Sequence, residues 1–200
     1  SIGDCGSTTL FIEGVSMLTA KAIQDFMLYN GQEASTRYID FATQRFLDPE
    51  GTEHSKRLLE RWRQRYLQGL GVVQSNLVQQ HPRKEGEKED VYEKAIKARS
   101  FDIMRGFLPA GASTNLAWHG ELRHISDHLD RLRHHPLAEV RVVAEALEDA
   151  LNEAYPSSFQ KKRYEDTEDY IEYWMKDTYY FKWSSIYPHD VVGSFSCFSK

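Results

Sequence analysis

Glu33, Ser35, Thr36, Arg37 and Tyr38 set a carboxylate, hydroxyls, a guanidinium and a phenol within six residues. In an extended segment alternate side chains point the same way, so Ser35 and Arg37 are expected to face together. A hydroxyl beside a planar five-donor fork is the chemistry of a phosphate grip. A second basic cluster follows. Arg105 stands directly before a Gly106–Gly111 break, and Arg123, Arg131 and Arg133 follow with His119, His124, His128, His134 and His135. In a chain of net charge −5 this is a local basic patch. It suits a phosphate-bearing small molecule better than a nucleic-acid polymer, which calls for a broad basic footprint. His124 and His128 are four apart and could share a metal. No third ligand stands at an informative spacing and no Glu lies between them, so no metal is expected. There is no Gly-rich phosphate loop, dinucleotide fingerprint or nucleophile elbow. Two separated anion-gripping clusters with little acid–base machinery fit chemistry carried by a bound cofactor.

The elements that must position these residues can be read from periodicity. Residues 8–15 alternate and are β-branched, which predicts a strand, with Ser16 capping the next element. Residues 17–29 carry Leu18, Ala22, Ile23, Phe26 and Met27 at helical spacing, with Gly31 as a left-handed stop and an extended stretch over 33–40. A helix start is expected at Asp48-Pro49, and a long amphipathic helix runs from about Thr52 to Gln80, ended by His81-Pro82. The charged stretch 83–90 connects to a helix over 91–105 with Ala95, Ile96, Ala98 and Ile103 inward. Ser113 or Thr114 is expected to cap a helix through Leu116, Leu122, Ile125, Leu129 and Leu132 to about Arg133. A further helix runs from Pro136 to about Tyr155, with Val140, Val143, Ala144, Leu147 and Leu151 inward. A short helix over 166–176 and a strand over 178–183 complete the pattern. The sum is an α-rich α+β domain with few strands.

The totals bound the rest. Two hundred residues, 40% hydrophobic and 28% charged, describe one ordinary globular domain. No run approaches a membrane span. The first six residues lack the basic-then-apolar character of a leader. Cys5 and Cys197 read as free thiols in a reducing cytoplasm.

The two clusters together resemble a known family. Gln32-Glu33-Ala34-Ser35-Thr36-Arg37-Tyr38 resembles the N-E-x-S-x-R-Y segment of flavin-dependent thymidylate synthases. Ala98-Arg99, Met104-Arg105-Gly106-Phe107-Leu108-Pro109, Thr114, Trp118, Arg123, the leucine run to Arg131 or Arg133, and Glu139-Val140-Arg141 resemble its later segment. The likeness covers residues 10–156, and the aromatic tail 157–200 has no counterpart. It implies an α+β, helix-rich fold with a small sheet, assembled as a homotetramer with shared active sites. The implied reaction moves a one-carbon unit from methylenetetrahydrofolate to C5 of a uridylate, with FAD recharged by NADPH supplying the hydride. Glu33, Ser35, Thr36, Arg37, Arg105, and Arg131 or Arg133 are then expected on the nucleotide. Asn30, Arg123, Asp127 and His128 are expected on the flavin. The family's Arg-His-Arg motif is replaced by Asp25-Phe26-Met27, and an Asn two residues before Arg123 by Glu121. Such departures make the chain similar to the branch that methylates UMP in nucleoside-antibiotic biosynthesis. The alternative is a non-catalytic nucleotide-binding homologue partnered with an intact relative.

Overall fold

The computed structural model describes residues 5–159 and 162–175, with the side chain of Tyr38 left aside. These fall into two compact units, one spanning residues 7–120 and the other built from residues before 7 and after 120. The expected strand over 178–183 and Cys197 lie outside the described residues.

The first unit is organised by a three-stranded sheet and two long helices. Strand β1, Ser7–Ser16, runs directly into helix α1, Met17–Gln24. The junction is capped by Ser16, whose Oγ accepts from the Thr19 N–H at 3.0 Å. Strand β2 is Asn30–Glu33 and strand β3 is Ser113–Glu121, in the spatial order β1-β3-β2. β2 pairs antiparallel with β3, Asn30 opposite His119 and Glu33 opposite Leu116.

Two expectations change here. Helix α1 stops at Gln24, and Met27 is fully exposed rather than inward. The chain turns over Phe26–Tyr29 because β2 then gains a ladder against β3 and the Tyr29 hydroxyl donates to the Ala117 carbonyl at 3.2 Å. Residues 113–121 form the central strand, where a helix cap was expected. Their alternation buries Leu116 and Trp118 and exposes Asn115 and His119.

Helix α2 is Glu53–Gln80 and α3 is Glu89–Met104. Thr52 and Ser55 form a reciprocal capping box at the start of α2. Asp48 does not open that helix; it accepts from the Ser55 hydroxyl at 2.6 Å. The core packed against α2 and α3 gathers Phe41, Phe46, Tyr66, Met104 and Ala112. Ala95 and Ile103, expected inside, are exposed.

The second unit contains helices α4, Leu122–Leu132, α5, Ala138–Ala154, α6, Pro156–Phe159, and α7, Glu165–Trp174. Leu122, Ile125, Leu129 and Leu132 from α4 are buried, as are Val140, Ala144, Leu147 and Leu151 from α5. That is the helical spacing read from the sequence. No helix of the described residues is long and apolar enough to cross a membrane.

Candidate functional site

β2 leads straight into the polar cluster. Beyond Glu33 the pairing continues for one step, with the Ala34 N–H donating to the Asn115 carbonyl at 2.8 Å. The chain then tightens into a single 3-10 turn, Thr36–Tyr38. This corrects the extended reading of residues 33–40. Ser35 is the cap of that turn, its Oγ accepting from the Arg37 N–H at 3.4 Å. Ser35 and Arg37 are therefore linked by the turn rather than by strand alternation.

Gly31 is also recast. It is not in the left-handed region but lies in β2, opposite Trp118. A Cβ there would run into the Ala117 carbonyl oxygen and the Tyr29 phenol. Glycine is needed for close approach of backbone rather than for a turn.

The decisive feature is where the Arg37 guanidinium goes. Its Nε donates to Asp102 Oδ1 at 3.0 Å and its Nη2 to Asp102 Oδ2, a two-pronged grip on one carboxylate. Arg105 Nη1 reaches the same Oδ1 at 3.6 Å. Two arginines 68 positions apart (105 minus 37) thus converge on one acid within a single chain. The hydrogen bond from Arg37 holds the Asp102 carboxyl below its usual range against the cost of burial, and the charges of Arg37 and Arg105 add to it. The side chains are 46% exposed at Arg37 and 59% at Arg105. An anion in solution can reach both. Asp102 was not singled out in the sequence, although its place three residues before Arg105 on a helix was a readable signal.

Other groups fix this arrangement. Arg63 of α2 donates through Nη1 to the carbonyls of Phe41 and Gln44, both at 2.6 Å, and lies over the Phe46 ring. That pins the segment following Arg37 onto the helix. Gln24 donates to Glu33 at 2.8 Å, orienting that carboxylate. A shallow cleft of about 320 Å³ over the sheet is lined by Phe11, Glu13, Gln32, Glu33 and Asn115. Burial and then the Glu33 charge raise the pKa of Tyr29. Asn30 is at the strand's exposed start.

In the second unit the expected residues part company. Arg123, Asp127 and Arg131 repeat every four residues along the exposed face of α4. His128 lies on the opposite face, buried at 3% exposure. Arg133 is sequestered. Its Nη1 lies 2.8 Å from Asp130 and 3.5 Å from Glu148, and its Nη2 3.2 Å from Glu168 of α7. Only 8% of its side chain is exposed. His134 also meets Glu168, at 3.1 Å. His124 meets Glu121 at 3.5 Å, while His128 is buried. Among the described residues no three His, Cys, Asp or Glu side chains are grouped to hold a metal.

Residues 1–157 match the model of the family described as thymidylate synthase complementing protein. The chain belongs to that family. A UPF0159 protein of Chlamydia muridarum is 29% identical over 171 residues, covering 78% of this chain and 32% of its own length. A UPF0159 protein of Chlamydia pneumoniae is 27% identical over 169 residues, with the same two shares, 78% and 32%. The chain thus spans about a third of the length of these curated relatives. Among solved structures, the UMP/dUMP methylase PolB of Streptomyces cacaoi, bound with 5-Br dUMP, is similar at a TM-score of 0.54 and 18% identity, covering 80% of this chain and 72% of that one. That likeness bears on the fold, and it agrees with the helix-rich α+β architecture of this member of the thymidylate synthase complementing family.

Proposed function

We propose that the chain holds a uridylate, UMP or dUMP, by its phosphate for methylation at C5, with methylenetetrahydrofolate as one-carbon donor and reduced flavin as hydride source. The observation that carries this reading is the convergence of Arg37 and Arg105 on Asp102 in a member of the thymidylate synthase complementing family. Two half-exposed guanidiniums beside a single carboxylate bring two positive charges to one place where a phosphate can be received. Asp102 keeps the Arg37 fork in position before the nucleotide arrives, which lowers the ordering cost of binding. Ser35 supplies a hydroxyl on the same turn as Arg37, and Glu33 an oriented acceptor at the sheet cleft. In the second unit Arg133 is already bound to three carboxylates, whereas Arg131 stands exposed on α4. The chain's contribution is placement and electrostatics rather than a nucleophile.

The flavin is a different matter. Where the family's cation motif belongs, Asp25, Phe26 and Met27 offer one carboxylate and two apolar side chains. His128 is enclosed in its own unit. These residues do not fit a flavin diphosphate by themselves, so no step through FAD, or its recharging by NADPH, is assigned to a side chain here. This observation favours a second reading: a non-catalytic nucleotide-binding homologue whose flavin contacts come from an intact relative. Incubation with FAD, NADPH, methylenetetrahydrofolate and either nucleotide separates the two. A 5-methyl product detected by mass spectrometry supports the enzyme. Nucleotide binding without product supports the non-catalytic homologue, and absence of both sinks the uridylate reading.

A further inference from the structure

Helix α2 carries chemistry that the uridylate reading does not use. Within the first unit, between α2 and the turn Arg105–Phe107, lies a groove of about 630 Å³, a volume typical of small-molecule sites. Its surface is strongly apolar, contributed by Leu58, Trp62, Val72, Val73, Met104 and Phe107. Trp62 and Phe107 are 45% and 59% exposed, and the Trp62 indole N–H donates to the Phe107 carbonyl. That bond ties helix to turn and fixes two aromatic walls. Arg61 and Arg65, one helical turn apart, also line the groove. Tyr66 lines it too. Its ring is buried at 2% exposure, edge-on to Phe41, and closes the groove floor.

We propose that this groove binds a flat aromatic anion, its rings against Trp62 and Phe107 and its acid group on Arg61 and Arg65. An apolar helix laid over the groove would cover the floor and leave the arginines unmatched. An aromatic anion satisfies both features. Aromatic and cation contacts of this kind supply both affinity and orientation.

The probe is anilinonaphthalene sulfonate, an aromatic anion with a flat naphthalene ring whose fluorescence rises on binding. The full chain is expected to bind it at one saturable site. Joint replacement Arg61→Glu and Arg65→Glu is expected to raise Kd at least about tenfold. Val72→Glu, at a position 61% exposed, sets a carboxylate on the groove wall and should abolish binding without loss of fold. UMP affinity is expected to be the same in that variant, which keeps this site separate from the uridylate site. Fluorescence that ignores Val72→Glu and the arginine pair overturns the proposal. So does a Val72→Glu chain that dissociates from a larger assembly, because a second copy would then be the occupant.

Discussion

Replacing Arg133 with Met tests whether that arginine is a ligand residue or a structural tie. The side chain is 8% exposed and meets Asp130, Glu148 and Glu168. Breaking a fully buried ion pair costs about 3–5 kcal/mol, chiefly because the remaining charge is stranded. Here the stranded acids are partly relieved. Glu148 keeps Arg163, Glu168 keeps His134, and their side chains are 13% and 27% exposed. The expected loss is therefore lower, about 2 kcal/mol near neutral pH, measured by urea unfolding and by faster amide exchange across α7. The pH dependence gives a second reading. Burial works against the Glu168 carboxylate, but attraction to Arg133 and hydrogen bonds from Arg133 and His134 outweigh it and hold its pKa below the ordinary value of 4.5. A depressed carboxyl contributes stability that is present above its unfolded pKa and is lost as pH falls through the folded one. The gap between wild type and Arg133→Met should thus be full at neutral pH and shrink below about pH 4.5. A variant as stable as wild type at neutral pH, or a gap that persists in strong acid, refutes the reasoning.

Arg37→Ala should weaken UMP binding by about 1.5–2 kcal/mol, roughly ten- to thirtyfold in Kd, the lower part of the charge-assisted range because the side chain is half exposed. Calorimetry with unchanged affinity would contradict its place on the phosphate. Gly31→Ala forces a methyl against the Ala117 carbonyl, and backbone cannot swing aside as a side chain can. A loss of about 1–3 kcal/mol in chemical unfolding is expected, with amides of residues 30–34 exchanging first. Burial, with the nearby Arg141 charge assisting, pushes the His135 pKa below 6.5. Its contribution is complete above 6.5 and declines as pH falls, so His135→Gln should flatten the stability curve on that acidic side.

The sequence revealed the fold most clearly where one helical stripe coincides with one buried face. Helix α5 buries Val140, Ala144, Leu147 and Leu151 as spaced, whereas α2 buries Tyr66 and Leu77 but leaves Leu58 and Trp62 exposed. It concealed β3. Asn115, Ala117 and Gly120 have poor strand propensity, and Leu116 falls into apparent phase with the leucines of α4. Only pairing with two neighbours makes those residues a strand, and that pairing is not local. The same holds at the site. Ser35, Arg37 and Arg105 were visible as residue types, yet the acid that joins the two arginines was not, because the Arg37–Asp102 contact spans 65 positions. Arg133 misled for the complementary reason: a guanidinium reads alike whether it awaits a phosphate or already holds three carboxylates.

Calorimetric titration of UMP and dUMP into the wild-type chain, Arg37→Ala, Arg105→Ala and the double variant, with and without FAD, asks whether Arg37 and Arg105 form one phosphate site. Binding by the wild type is expected, with loss in each single variant and a double variant no worse than the sum, because both arginines contact the same anion. Wild-type chain that binds neither nucleotide, or binding untouched by both substitutions, would contradict it.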